Sequence, residues 1–303
     1  MTLPADTLAP LIRATPTVPF PQPNGTTVWA KLEFLHPSGS TKDRFAAAVL
    51  HDAIASGELT PSTTVIEASS GSTSIALAMA CARLGVRFVA VLPDNVSDER
   101  VMIIRRYGGE VMLTPAADGV AAAMAAAEDL SQSSKGDVFL PRQFTNPINA
   151  RAHETGTGRE ILAQVEGGIH GFVAGVGTGG TLAGVACALT RAHPGLLVCE
   201  ARPIGADLAC PPPGIPGIVA CMSGLLEGLE IAFVIAVTEE DTLDGARRLC
   251  RAGLPVGLSS GLNMAAAEAL AADLPPGSQV VTVLPDRMER YFSGALFADL
   301  VMA

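Results

Sequence analysis

Short runs of β-branched and other apolar residues alternate along almost the whole chain with longer, alanine-rich stretches of helical character. The runs at 64–67, 88–92, 110–113, 171–176, 196–200, 233–237 and 279–284 read as strands. Between them, 43–56, 73–84, 98–107, 120–131, 150–165 and 264–272 read as helices. Apolar strands alternating with helices are the pattern of parallel sheets covered by helices, so an α/β fold is predicted. At 303 residues the chain has material for two lobes sharing one interface. The only proline run, Pro211-Pro212-Pro213, reads as a surface connection, and no stretch resembles a flexible linker.

Composition removes several classes of function. With 49% hydrophobic and 17% charged residues the chain is not disordered. A net charge of −10, with no cluster of Lys and Arg, excludes nucleic acid as a partner. Residues 1–10 carry an acid and prolines where a signal peptide needs basic residues and an apolar run. Gly, Pro or charge interrupts each stretch that could cross a membrane, so no membrane association and a cytoplasmic location are expected. The six cysteines form no CxxC pair and the five histidines are scattered, so no metal site is expected and a Ser-His-Asp triad has no spacing support.

Three loops carry candidate chemistry. Gly175-Val176-Gly177-Thr178-Gly179-Gly180-Thr181 follows a predicted strand and precedes a helical stretch at 182–189. Glycines there let successive amide N–H groups approach a phosphate, and the helix dipole adds positive potential. Gly175, Gly177 and Gly180 also match GxGxxG, with Glu200 some 20 residues on, so a dinucleotide-binding reading competes. In Ser38-Gly39-Ser40-Thr41-Lys42 a lysine falls in the first turn of a helix, where the dipole disfavours its ammonium form and so favours a nucleophilic amine. A solvated lysine fits that stretch alone equally well. Ser69-Ser70-Gly71-Ser72-Thr73 puts four hydroxyls at another helix N-terminus, more than a cap requires and suited to a carboxylate.

In this order the loops resemble the cysteine synthase (O-acetylserine sulfhydrylase) and cystathionine β-synthase family of fold type II pyridoxal-phosphate enzymes. His36–Arg44 is similar to the family's NPTGSxKDR, Glu67–Ser74 to EPTSGNTG, Gln143–Glu160 to QFxNPxNxxxHxxxTGxEI and Val176–Leu182 to the GTGGT phosphate loop. Gly257–Gly261 and Leu284–Ser293 extend the likeness to the C-terminus. The resemblance implies a two-lobed fold, with 1–40 and 146–303 as the large cofactor-binding domain and 41–145 as a smaller mobile one. It implies that Lys42 holds pyridoxal 5'-phosphate as a Schiff base and moves the α-proton, and that Gly177, Thr178, Gly179, Gly180 and Thr181 hold the phosphate. Ser72 is implied as a further cofactor contact, and Ser259 as the partner of the pyridine nitrogen. A neutral serine there leaves the ring a weaker electron sink, which suits β-elimination. Ser69, Ser70, Gly71, Ser72, Thr73 and Gln143 are implied to bind the substrate carboxylate.

The implied activity is replacement at Cβ of an O-activated serine by a small nucleophile through an aminoacrylate intermediate, in a homodimer. A β-eliminating lyase shares every one of these contacts. Three positions depart from the family: Ser72 stands for asparagine, Val219 and Cys221 for glycines in a glycine-rich stretch running to Met222, and Arg287-Met288 for Ser-Gly. They point to an acceptor other than sulfide, with Arg287 a candidate cation at the mouth of the site. The chain's extent beyond Ser293 leads to the expectation that no C-terminal regulatory module is present.

Overall fold

Two sheets account for the strands of the computed structural model, which describes Leu3, residues 7–204, Ile218 and residues 224–301. β1 (Thr17–Pro21) and β2 (Thr27–Lys31) form an antiparallel hairpin. The chain then runs through α1 (Lys42–Ser56), β3 (Thr64–Ala68), α2 (Ser72–Leu84), β4 (Arg87–Pro93), α3 (Asp98–Arg106), β5 (Glu110–Thr114), α4 (Gly119–Ser133) and β6 (Val138–Phe139). Those four strands make a parallel sheet in the order β5-β4-β3-β6. The path returns through α5 (Ile148–His153), α6 (Arg159–Gln164), β7 (Gly171–Gly175), α7 (Gly180–Ala192), β8 (Leu197–Pro203), β9 (Phe233–Val237), α8 (Glu239–Arg251), α9 (Leu258–Ala272) and β10 (Gln279–Val283). These strands join the hairpin in a six-stranded sheet, β1-β2-β10-β7-β8-β9. The architecture is the predicted α/β one.

Strand alternation explains why both sheets are buried. Val28, Val173, Cys199 and Val280 pack with α8 and α9 on one face of the large sheet, while Phe172, Ala174, Val198 and Val281 pack with α6 and α7 on the other. In the small sheet Val65, Phe88 and Ala90 meet α1 and α2, whereas Ile66, Val89 and Val91 meet α4. The central strands β3, β4, β7 and β10 are apolar at successive positions because neither of their faces sees water, whereas the edge strands β5 and β9 leave Met112, Leu113, Phe233 and Val234 exposed. No helix among the described residues is long and apolar enough to cross a membrane.

All seven predicted strands are present, and three others escaped the pattern. β1 contains Pro19 and Pro21, which lack the N–H of a ladder and are tolerated because β1 is an edge strand. β2 is its hairpin partner, and β6 is only two residues long. The helix predicted at 264–272 begins at Leu258, so Ser259 lies in its first turn. The helix predicted at 150–165 is broken by a π-helical turn, Glu154–Gly158. There Gly156 passes so close to Arg44 that a Cβ would stand 2.7 Å from its guanidinium Nη1.

That turn belongs to a buried polar network between the elements that carry the candidate loops. Glu33, in a short turn after β2, is wholly buried. Its carboxylate accepts two bonds from Arg44 (both 2.7 Å), and others from the hydroxyls of Thr15 (2.7 Å), Thr41 (3.1 Å) and Thr157 (3.3 Å). Arg44 donates two more bonds to Glu160 (both 2.7 Å), which also pairs with the buried Lys31 (2.8 Å). The Thr157 hydroxyl meets His153 Nδ1 at 2.9 Å, and His153 Nε2 lies 3.2 Å from the Thr181 hydroxyl. Burial alone would raise Glu33, but the Arg44 guanidinium beside it holds its carboxyl well below the usual range. Burial also lowers His153 to about 3, keeping its ring neutral.

Removing one member of a fully desolvated pair strands the other, so Glu33→Gln should lose about 3–5 kcal/mol, read as a lower urea midpoint. His153 sets an acid dependence. Its folded pKa lies below the unfolded value, so as pH falls from about 6.5 the unfolded chain takes up a proton that the native state refuses. Stability from this group is therefore full above about pH 6.5 and lost below it. Relative to pH 7, the loss at pH 5 should be about 2 kcal/mol smaller in His153→Gln than in the wild type, by urea titration at both pH values.

Candidate active site

A cleft opens where the carboxyl ends of β3, β7 and β10 face the first turns of α1, α2, α7 and α9. Crevices at the carboxyl ends of parallel strands are the usual ligand site of such folds, because the loops there end in helix N-termini with unpaired N–H groups. Of the candidate residues, Lys42, Ser70, Ser72, Thr73, Gln143, Gly177, Thr178, Gly179, Thr181 and Ser259 all line it.

Lys42 is the first residue of α1, and its own N–H donates to Ser40 Oγ at 3.2 Å. Burial is the main cause that lowers its ammonium pKa. Asp286 opposes that shift and Arg290 adds to it. The amine is thereby biased towards its neutral, nucleophilic form. Thr41 and Arg44, on either side, are both tied to Glu33, so the turn that presents Lys42 is anchored at two points.

The glycine-rich loop ends at Gly179, in the left-handed region at φ 82°, where only glycine enters cheaply, and α7 starts at Gly180. Asn149 crosses behind it. A Cβ on Gly180 would lie 2.2 Å from Asn149 Oδ1, and Asn149 Nδ2 donates to Thr178 Oγ1 at 2.9 Å. Gly184 lets α7 approach α5 so closely that a Cβ would stand 2.0 Å from the Ala150 carbonyl. The loop is shaped by its backing, with no arginine in it.

The hydroxyl-rich loop divides into two roles. Ser69 turns inward: its Oγ accepts from Gly71 N (3.0 Å) and Ser74 N (3.3 Å) and bonds Ser74 Oγ (2.6 Å), so it shapes the loop and does not line the cleft. Gly71, at φ 129°, packs against Arg100 where a Cβ would collide. Thr73 Oγ1 donates to Gln143 Oε1, Gln143 Nε2 donates to the Ala68 carbonyl at 2.6 Å, and the Gln143 N–H donates to Glu67 Oε2 at 3.2 Å. Burial pushes Glu67 up to about 8. Ser72 Oγ reaches across the cleft to Asp286 Oδ2 (3.2 Å), which also accepts from the Tyr291 hydroxyl (2.8 Å).

Two expectations meet different surroundings. Arg287 is not in the wall of the cleft; it packs over Gly39 and pairs with Glu289 at 2.5 Å. Residues 219–222, where Val219 and Cys221 depart from the family, lie outside the described residues. Glu200, on which the dinucleotide alternative relied, accepts two 2.8 Å bonds from Arg202. No group of acids, histidines and cysteines suited to a metal occurs among the described residues. Cys81 and Cys199 are buried free thiols, whereas Cys187 and Cys250 are only half-buried.

Pyridoxal phosphate fits this arrangement. A phosphate would meet the amide N–H groups and hydroxyls of 177–181, whose glycines leave room for it, while a desolvated amine and the Ser259 hydroxyl share the same cleft. Asn149, His153, Thr157 and Glu160, which support the site from behind, all lie in the Gln143–Glu160 stretch.

Comparison with known proteins agrees. The family described as "Pyridoxal-phosphate dependent enzyme" matches residues 8–286. A cysteine synthase of Staphylococcus aureus (strain N315) is 36% identical over 305 residues, covering 97% of this chain and 98% of that protein. The structure of an O-acetylserine-dependent cystathionine β-synthase from Helicobacter pylori superposes with a TM-score of 0.90 at 34% identity, covering 98% of this chain and all of the other. That of an O-ureido-L-serine synthase gives 0.90 at 36% identity, covering 97% and 98%. The chain therefore belongs to the pyridoxal-phosphate-dependent enzymes of the cysteine synthase and cystathionine β-synthase family.

Proposed function

We propose that the chain replaces the leaving group at Cβ of an O-activated L-serine with a small nucleophile, through Lys42 and the cleft around it. The observation that carries this reading is the meeting of Lys42, the 177–181 loop and Ser259 in one cleft with the hydroxyls of 70–73 and Gln143. When bound, the cofactor withdraws electrons from Cα of the substrate. With the cofactor bound, the Lys42 amine would be the group that takes the α-proton and later returns it. Ser70, Ser72, Thr73 and Gln143 offer neutral donors to the carboxylate and fix the substrate's orientation. Movement of 41–145 as a separate domain over the larger one would exclude water, whose attack diverts replacement into elimination. Assembly as a homodimer and residence in the cytoplasm belong to this reading through the family alone.

Borohydride reduction of the purified holoprotein should fix the cofactor to the peptide containing Lys42. Lys42→Ala should lose that label and about 10³-fold in turnover. O-acetyl-L-serine should then change the cofactor absorbance, and a panel of sulfide, larger thiols and amines identifies the acceptor by rate. Release of pyruvate at the same rate with and without every acceptor would identify a lyase instead.

Ser72 governs space in the cleft. Asparagine there adds bulk and breaks the tie to Asp286, so Ser72→Asn should shift the kcat/KM ratio towards sulfide, away from larger thiols, by about tenfold. Competition between the two acceptors measures it directly.

A further inference from the structure

Behind Gln143 lies a second, partly open cavity between α4 and the ends of β3 and β6. On the face of α4 that meets the sheet, Ala123 and Ala127 are the buried residues, and the small side chain of Ala127 leaves space beside Met124. The cavity's apolar wall includes Met124, Ala127 and Phe144, its depth holds the carboxyl of Glu67, and Arg142 and Glu128 stand together at 3.1 Å, more than two-fifths exposed. Arg142 is the one non-glycine among the described residues with a positive φ, 56°, a backbone state that costs energy and that the surrounding structure must impose.

We propose that this cavity is a regulatory site for a free α-amino acid with a medium-sized apolar side chain. Charge complementarity selects that occupant. A cation and a carboxylate side by side match the carboxylate and ammonium of a zwitterion, and the apolar wall between them takes one side chain. The Glu128 carboxylate beside the single guanidinium disfavours phosphates and other polyanions, which would have to displace it. The elevated acid of Glu67 fits a lining that tolerates a neutral polar group at depth.

The cavity is wired to the main cleft by adjacency. Phe144 lines both, and Gln143, between Arg142 and Phe144, bonds Glu67 on the cavity side and Thr73 on the cleft side. An occupant that fixes Arg142 and Phe144 removes freedom from Gln143 before the donor substrate arrives, so the second ligand has less order to impose. The coupling is positive: donor affinity should rise about fivefold when the cavity is filled. This half of the inference rests on the reading of Gln143 as a carboxylate contact. The binding half does not.

Calorimetric titration of the holoprotein with L-leucine tests it, with glycine and 4-methylpentanoate as controls lacking the side chain or the ammonium. A dissociation constant on the order of 1 mM is expected for leucine, and at least tenfold weaker binding for both controls. Ala127→Phe fills the cavity and Glu128→Lys reverses an exposed charge at its rim without touching the core, so one variant remains informative if the other fails to fold. Each should weaken leucine at least tenfold. No heat from the wild type at 20-fold the expected constant, or leucine binding equal in wild type and the folded variants, overturns the proposal; the latter places leucine in the main cleft. A protein without cofactor absorbance would refute the catalytic reading and leave the leucine titration valid.

Discussion

The ion pair between Glu33 and Arg44 is the constraint on which the remaining geometry depends. Both groups are almost completely withdrawn from water, a costly arrangement that Coulombic attraction repays only when the remaining donors and acceptors are also satisfied. Here they are satisfied by residues from four parts of the chain: Thr15 ahead of β1, Thr41 at the start of α1, Thr157 in the π turn, and Glu160 in α6. A second cation, Lys31, closes the network on Glu160. Because the charges are buried or nearly so, a displacement of any one element weakens the compensation they need, and the network therefore acts as a joint between the elements it links.

What the joint holds in place is a pair of helix N-termini. α1 presents Lys42 and α7 presents the glycine-rich loop, the first tied to Glu33 through Thr41, the second through His153 and Thr181. The two ends do opposite electrostatic work. At α1 the dipole and burial both oppose an ammonium, so the amine is kept reactive. At α7 the same dipole favours an anion, and a phosphate can be bound by N–H groups without an arginine that would compete for carboxylates in the cleft. A neutral His153 serves this division, since an imidazolium there would add a buried positive charge close to Arg44.

Much of this was legible in the sequence, for physical reasons. Strands of a helix-covered parallel sheet are apolar runs, and all seven such runs form strands, the partly exposed edge strands β5 and β9 included. Strands whose signal is weakened by proline or by length, β1 and β6, were not. Loops that bind through backbone N–H groups need glycine and small hydroxyl residues, so composition alone pointed to 69–73 and 175–181. The helix boundary at 154–158 was hidden because a π turn has no propensity signature; it forms where Arg44 needs room beside Gly156. The supporting residues were hidden for another reason. Asn149, His153, Thr157 and Glu160 share a stretch whose motif was visible, but their partners lie on α1, α7 and the β2 turn, which no local pattern reveals. Ser69 shows the converse: a hydroxyl in the right motif can be spent on shaping the loop.

The departure at Ser72 gains its meaning from the opposite wall. Its hydroxyl spans to Asp286, whose second bond comes from Tyr291, and the Tyr291 ring in turn lies 4.8 Å beneath the Arg100 guanidinium. Arg100 belongs to α3 and abuts Gly71 at the apex of the same loop. Ser97 and Glu99, in the same segment, bond Arg290 and Ser293 of the large-sheet side. The 69–73 loop is thus held on one side by Gln143 and from across the cleft by a chain of contacts to residues 286–293. A residue too long to reach Asp286 as serine does would uncouple the two walls. On the reading proposed above, space in the cleft and loop position would be set by the same hydroxyl, and acceptor choice would follow from how the two sheets are joined as well as from the space between them.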